Sequence, residues 1–178
     1  MLELSALGLL QREPLHGYKL KQKLEMFMDC SISVNYGAIY PLLRRLQQQG
    51  SIVAVESNDG EGRGGKKVYQ ITEQGRVRWR EKMMEHPQES WVNARSRFAI
   101  KFFFFSDLEP QARIDLMEHR LMVCKLRQQE VEKEYIPQVP NDPYKQAIVQ
   151  RHLETLNHEI EWLSQQLTRE YTEKQPNS

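Results

Sequence analysis

The stretch that most constrains the fold runs from residue 39 to residue 56. Ile39, Leu42, Leu43 and Leu46 recur at the three-and-four spacing that places apolar side chains on one face of a helix. Gly50 follows, where a helix commonly ends in a left-handed residue. Two residues later the β-rich run "IVAVE" begins, and "KVYQI" answers it at 67–71. Between them lies a tip holding Gly60, Gly62, Gly64 and Gly65 beside the pair Asp59-Gly60, the composition of a hairpin with a long flexible loop.

The segments before and after this passage extend the pattern. Leu2, Leu4, Leu7, Leu9 and Leu10 predict a helix over about residues 2–12 that Pro14 ends. "PLHGYKLKQKLEMF" opens a second helix with Leu20, Leu24 and Phe27 on one side, and residues 28–34 connect it to the third. Thr72 caps a fourth helix that runs to about Glu85. Three short helices followed by a hairpin make a winged helix-turn-helix over residues 1–86, with 36–48 as its recognition helix. Pro41 is awkward inside that span, because a helix begun at Tyr36 would lose the bond to Gly37. Either the regular helix starts nearer Gly37 or Ala38, or its first turn is irregular.

The composition changes around "EHPQES", and residues 87–178 read as a helical dimerisation domain. "SWVNARSRFAIKFFFF" predicts a helix to about Phe105, and Asp107 with Pro110 opens the next. Ile114, Met117, Leu121, Cys124, Gln128, Val131 and Tyr135 then form a heptad seam with one polar position. Pro137, Pro140 and Pro143 break the chain. Val149, Leu153, Leu156, Ile160, Leu163 and Leu167 repeat the seam, which implies an antiparallel helical hairpin. Its remaining apolar edge calls for a partner, and the simplest is the same hairpin of a second copy. The expected dimer contacts are Leu121, Val131, Val149, Leu153, Leu156, Ile160, Leu163 and Leu167. The fold class is thus mostly α with a small β-hairpin: an N-terminal winged helix-turn-helix plus a C-terminal long-helix, coiled-coil-like dimerisation domain.

Composition narrows the function. At 178 residues, 39% hydrophobic and 28% charged, the chain reads as soluble and globular. Its net charge is only +1, but the distribution is uneven. Residues 36–82 hold nine Lys/Arg against five Asp/Glu, whereas 87–178 hold twelve against fourteen. One half therefore suits a polyanion and the other does not. Cys30 and Cys124 lack CxxC spacing, which argues against a disulfide framework or zinc site and for reduced cytosolic thiols. "MLELSALGLL" carries Glu3 in its apolar run and no basic lead, so it is a poor signal peptide, and "FFFF" is far too short to span a bilayer. A cytoplasmic protein with no membrane partner is expected. The five histidines are scattered, and no phosphate loop, nucleophile elbow or acidic metal cluster occurs, so no catalytic residue, metal or cofactor is expected.

The candidate partner is double-stranded DNA. With the apolar face of 36–48 turned inward, Tyr36, Gly37, Tyr40, Pro41 and Arg44 point to the other face or its margins. Gly37 admits close backbone approach, and a helix N-terminus near Asn35 offers free amides to anions. Arg44 reaches either a guanine edge or a phosphate, and Arg45, a step further round, a phosphate. Tyr40 either packs between helices or touches DNA. In the second helix Tyr18 and Lys19 lie near phosphates, and His16 either caps that helix, is buried, or contacts phosphate. Arg63, Lys66 and Lys67 make the hairpin tip cationic, suited to a minor groove or a backbone. Arg76, Arg78, Arg80 and Lys82 spread around the fourth helix as solvated charge with one phosphate contact at most, and Trp79 reads as core. Phe98, Phe102 and Phe105 share a helical face. They serve either as packing or, with Trp91, as the wall of an apolar pocket for a planar ligand.

The pieces "LGLL", "PLHGYKLKQKLE", "GAIYPLLRRLQQQGSI" and "GGKKVYQITEQG", in this order across about residues 2–80, resemble the PadR family of bacterial transcriptional regulators. The second half is similar to the longer-tailed branch of that family, whose C-terminal helices dimerise. The family commonly places a small hydroxyl residue just before Gly-x-Ile-Tyr-Pro, where this chain has Asn35 and Tyr36. The resemblance implies a dimeric winged-helix DNA binder, usually a repressor, often released by a small-molecule effector. A reading from another class keeps the winged helix and coiled coil as a protein–protein adaptor without specific DNA binding.

Overall fold

Leucines at three-and-four spacing close the first helix, α1 (Leu2–Arg12), whose Leu4, Leu7 and Leu10 are buried. In the computed structural model, residues 1–28, 36–57, 66–139 and 141–174 are described. They divide into two compact units, Met1–Phe105 and Ser106–Ser178.

In the first unit, α2 (Gly17–Met28) buries Leu20 and Leu24, and α3 (Ile39–Gln48) buries Ile39, Leu42, Leu43 and Leu46. A 3-10 turn over Tyr36–Ala38 leads into α3. That turn resolves the Pro41 problem: the proline occupies the third helical position, where a backbone N–H would find no intrahelical partner. Strands β2 (Ile52–Ser57) and β3 (Lys66–Ile71) pair antiparallel, with Ile52 opposite Ile71 and Val55 opposite Val68. The hairpin is not alone. Residues Leu15–His16, expected at the start of a helix, instead form strand β1, paired antiparallel to β3 with Leu15 opposite Tyr69. Burial of Leu15 explains the preference, since pairing with β3 turns its side chain into the core. The sheet order is β1-β3-β2.

The corner between α3 and β2 is tightly specified. Gly50 takes φ 68°, the left-handed value that glycine adopts without cost. Its N–H donates to the Gln47 carbonyl at 3.0 Å, and that of Ser51 to the Leu46 carbonyl at 2.9 Å, the double closure of a Schellman cap. Thr72 then clamps the corner. Its N–H donates to the Ser51 carbonyl at 3.1 Å, and its hydroxyl to the Gly50 carbonyl at 2.6 Å. The same hydroxyl accepts from the Gly75 N–H at 3.1 Å, which caps α4 (Glu73–Met84). Gly75 sits so close that a Cβ there would lie 2.0 Å from the Ser51 carbonyl oxygen.

The helix α5 (Trp91–Phe103) belongs to this unit, which therefore runs past residue 86. Phe104, just beyond it, is fully buried, meets Trp79 edge-on at 6.1 Å and fills the space that a side chain on Gly8 would need. Phe98, Phe102 and Phe105 pack on one another, with centroids 4.8 to 6.1 Å apart. Lys101 is also buried, and its amine donates to the Glu85 carbonyl at 2.5 Å.

The second unit is the expected antiparallel hairpin, built from α6 (Pro110–Glu130) and α7 (Pro143–Lys174). The connection is less abrupt than its prolines suggest: a π turn (Val131–Tyr135) and a 3-10 turn (Ile136–Gln138) extend α6 before the chain reverses. Asp142 caps α7 by accepting from the N–H groups of Tyr144 and Lys145 at 3.0 and 3.1 Å. Ile114, Met117, Cys124 and Val131 face Leu156, Leu163 and Leu167 in a buried seam. Polar pairs cross it: Arg120 Nε donates to Glu159 at 2.8 Å, and Gln128 to Asn157 at 2.7 Å. Arg120, 4% exposed, lies off the predicted seam.

Replacing Gly75 with Ala is expected to destabilise the first unit by about 1–3 kcal/mol, since the carbonyl it would strike is backbone. Thermal unfolding would read this as a fall of roughly 4–8 °C for each kcal/mol, and an unchanged midpoint would contradict the clamp.

Candidate nucleic-acid interface

The arginine pair of α3 is split by the fold. Ile39, Leu43 and Leu46 lie fully buried, which turns Gly37, Tyr40, Arg44 and Arg45 outward. Arg44 is exposed and has no partner among the described residues. Arg45 instead donates from Nη2 to Glu3 at 3.1 Å. Tyr40 combines its two readings. It is 51% exposed, yet its ring lies over the start of α2, 3.2 Å from where a Cβ on Gly17 would stand.

Around α3, Tyr18 and Lys19 are exposed on the first turn of α2, and the Tyr18 hydroxyl accepts from Gln22 at 3.0 Å. Among the described residues His16 makes no cap: it is a half-buried residue of β1 opposite Val68, because the edge of β3 captures the backbone before α2 begins. Lys21 pairs with Glu25 at 3.4 Å, and Lys23 with Glu13, which makes both ordinary surface ion pairs. Lys67 is exposed on β3, opposite Glu56 in register. Asn35, Arg63 and the glycines of the tip lie outside the described residues, as do the side chains of Tyr36 and Lys66.

Sequence reasoning missed Glu3. Its carboxylate, 13% exposed, gathers cations from two helices: Arg78 Nε donates to Oε1 at 2.5 Å, Arg45 to Oε2, and Lys82 Nζ stands 3.7 Å from Oε1. Arg78 and Lys82 are thus engaged within the fold, where the sequence suggested free solvated charge. Burial alone would raise the Glu3 carboxyl. The Arg78 hydrogen bond and the charges of Lys82, Arg78 and Arg45 outweigh that and hold it below its ordinary value. The one signal in the sequence was a carboxylate placed inside an otherwise apolar helical run.

The predicted dimer residues also divide. Val131, Leu156, Leu163 and Leu167 are buried in the hairpin's own seam, so their apolar surface is already covered without a partner. Leu121, Val149, Leu153 and Ile160 are half-buried. The apolar side chains left exposed are others, among them Met122, Leu126, Tyr144 and Ile148. The heptad reading did not separate the face used within the chain from the face left over. No described helix is long and apolar enough to cross a membrane.

Three helices, a clamped corner and a two-sided sheet define a winged helix-turn-helix protein. Residues 6–81 match the model of the Transcriptional regulator PadR-like family. That match takes in the helix-turn-helix elements and both strands of the hairpin, so this part of the chain is similar to that family, which is one of transcriptional regulators. It is 35% identical over 96 residues to the transcriptional regulator YqjI of Escherichia coli, a match covering 53% of this chain and 44% of that protein. The chain therefore spans less than half the length of that relative. It is 25% identical over 135 residues to the negative transcriptional regulator PadR of Bacillus subtilis, covering 76% of this chain and 73% of that one. The crystal structure of Bacillus subtilis PadR in complex with operator DNA superposes with a TM-score of 0.46 at 24% identity, over 95% of this chain and 98% of that one.

Because the folded-state carboxyl value of Glu3 is depressed, its contribution to stability is present above the ordinary value of 4.5 and is lost as pH falls through the folded value. Arg78→Gln removes the largest favourable partner while the burial remains, so the Glu3 titration should move upward. Carboxyl carbon NMR measures this, and an unmoved titration would mean that Arg78 does not hold Glu3.

Proposed function

We propose that the protein is a DNA-binding regulator of transcription that acts as a homodimer in the cytoplasm. The observation that carries the reading is Arg44, exposed and without a partner among the described residues on the face of α3 opposite its buried leucines. A guanidinium there has the fork geometry for a guanine edge or a phosphate. Tyr18, Lys19, Tyr40 and Lys67, each exposed on the same unit, would add phosphate-seeking groups. Two copies would present two such helices to successive major grooves about 34–36 Å apart, on an imperfect inverted repeat. Repression by occluding a promoter follows the sense of the Bacillus subtilis relative, whose name is that of a negative regulator. Release by a small-molecule effector follows from the family resemblance.

The exposed side chains Met122, Leu126, Tyr144 and Ile148 support association through the second unit, since large apolar groups left in water favour a partner surface. Arg44→Ala is expected to weaken binding to a selected genomic fragment by roughly 1–3 kcal/mol if it reads a base. An equal loss on random-sequence DNA would reassign it to phosphate. Wild-type protein that is not retained on DNA even at low salt would overturn the reading in favour of a protein–protein adaptor.

A further inference from the structure

Glu3 lies on the first turn of α1, yet its carboxylate reaches one cation on α3 and two on α4. Those cations are not sealed from water: the side chains of Arg45, Arg78 and Lys82 are 56%, 32% and 29% exposed. A cleft of about 440 Å³ opens beside them, lined in part by Glu3, Ala38, Pro41, Arg45 and Lys82. Ala38 and Pro41 belong to the entry of α3, so this cleft adjoins the surface on which Arg44 stands.

We propose that Glu3 is a selectivity residue, an internal counter-ion that withholds Arg45, Arg78 and Lys82 from DNA phosphates and so limits sequence-independent binding. The inference rests on the DNA-binding reading above. A phosphate approaching these cations meets a carboxylate already seated between them, and must share their donors against its repulsion. Glu3 stays ionised at neutral pH, because the surrounding cations hold its carboxyl below the ordinary range. Non-specific affinity depends on how many cations are free to displace counter-ions from the duplex, with a salt slope of about 0.9 for each phosphate neutralised. A regulator gains nothing from that component, since what matters is the ratio of specific to non-specific binding across a genome. On α3 the two neighbouring arginines therefore have different duties: Arg44 is available to DNA, and Arg45 is committed to α1.

The test uses the full chain and a random-sequence duplex, with binding followed by fluorescence anisotropy as salt is raised. Glu3→Gln keeps the shape of the side chain and removes its charge. It should steepen the salt slope by about one to two per subunit, and adding Arg45→Gln should take about one back. On a selected fragment the Glu3→Gln change should alter affinity less than on random DNA, so the specificity ratio falls. In the unaltered background Arg44→Gln should flatten the slope by about one and Arg45→Gln by less than half as much. That comparison still decides the matter if circular dichroism shows that Glu3→Gln fails to fold. A folded Glu3→Gln variant with an unchanged slope, or an Arg45→Gln variant as costly as Arg44→Gln, would overturn the proposal. Wild-type protein with no salt-sensitive DNA binding at all would instead remove the functional reading beneath it.

Discussion

One hydroxyl holds the corner on which the first unit is built. Thr72 donates to the Gly50 carbonyl and accepts from the Gly75 N–H, so it ties the end of α3 to the start of α4 across the entry of β2. Each such bond contributes only about 0.5–1.5 kcal/mol net. The geometry matters more than the sum. Without a Cβ at Gly75 the backbone of α4 can press against the Ser51 carbonyl, and the left-handed Gly50 helps turn the chain from helix to strand in three residues. The direction of α3 relative to the sheet, and so the side on which Arg44 emerges, follows from that corner.

Charge is organised locally and not in bulk. The whole chain is nearly neutral, and its basic segment carries an excess of only four cations between residues 36 and 82. Within that segment the fold sorts the cations further. Arg45, Arg78 and Lys82 converge on one carboxylate from α1, while Arg44 has no partner among the described residues. The same sorting on α2 leaves Lys19 exposed and pairs Lys21 and Lys23 with nearby glutamates. A count of Lys and Arg therefore overstates the surface available to a polyanion.

Much of this architecture was legible from residue order, for reasons that can be named. Periodicity at three and four located α1, α3 and α7 because burial of one face imposes it, and the caps at Gly50 and Thr72 fell where their chemistry is required. The two-residue strand β1 was not legible, since Leu15–His16 has no period and exists only because the edge of β3 accepts it. Glu3 was hidden for a similar reason: its partners lie 42, 75 and 79 positions away in the chain, so no local pattern could show them. In the second unit the heptads predicted the hairpin correctly, but one apolar stripe reads alike whether it packs within the chain or against a second copy. Burial of Leu156, Leu163 and Leu167 inside the hairpin moves the candidate contact surface to residues that the heptad passes over, such as Met122 and Leu126.

A helix held at a set angle, an arginine exposed on its outer face and an apolar surface on the second unit are the parts of the proposed dimeric reader. Hydroxyl-radical footprinting on a fragment selected from genomic DNA tests that combination most directly. The expected pattern is two protected patches on one face of the duplex, their centres separated by about 10–10.5 base pairs or a multiple of it. A single protected patch, or uniform weak protection along the fragment, would contradict it.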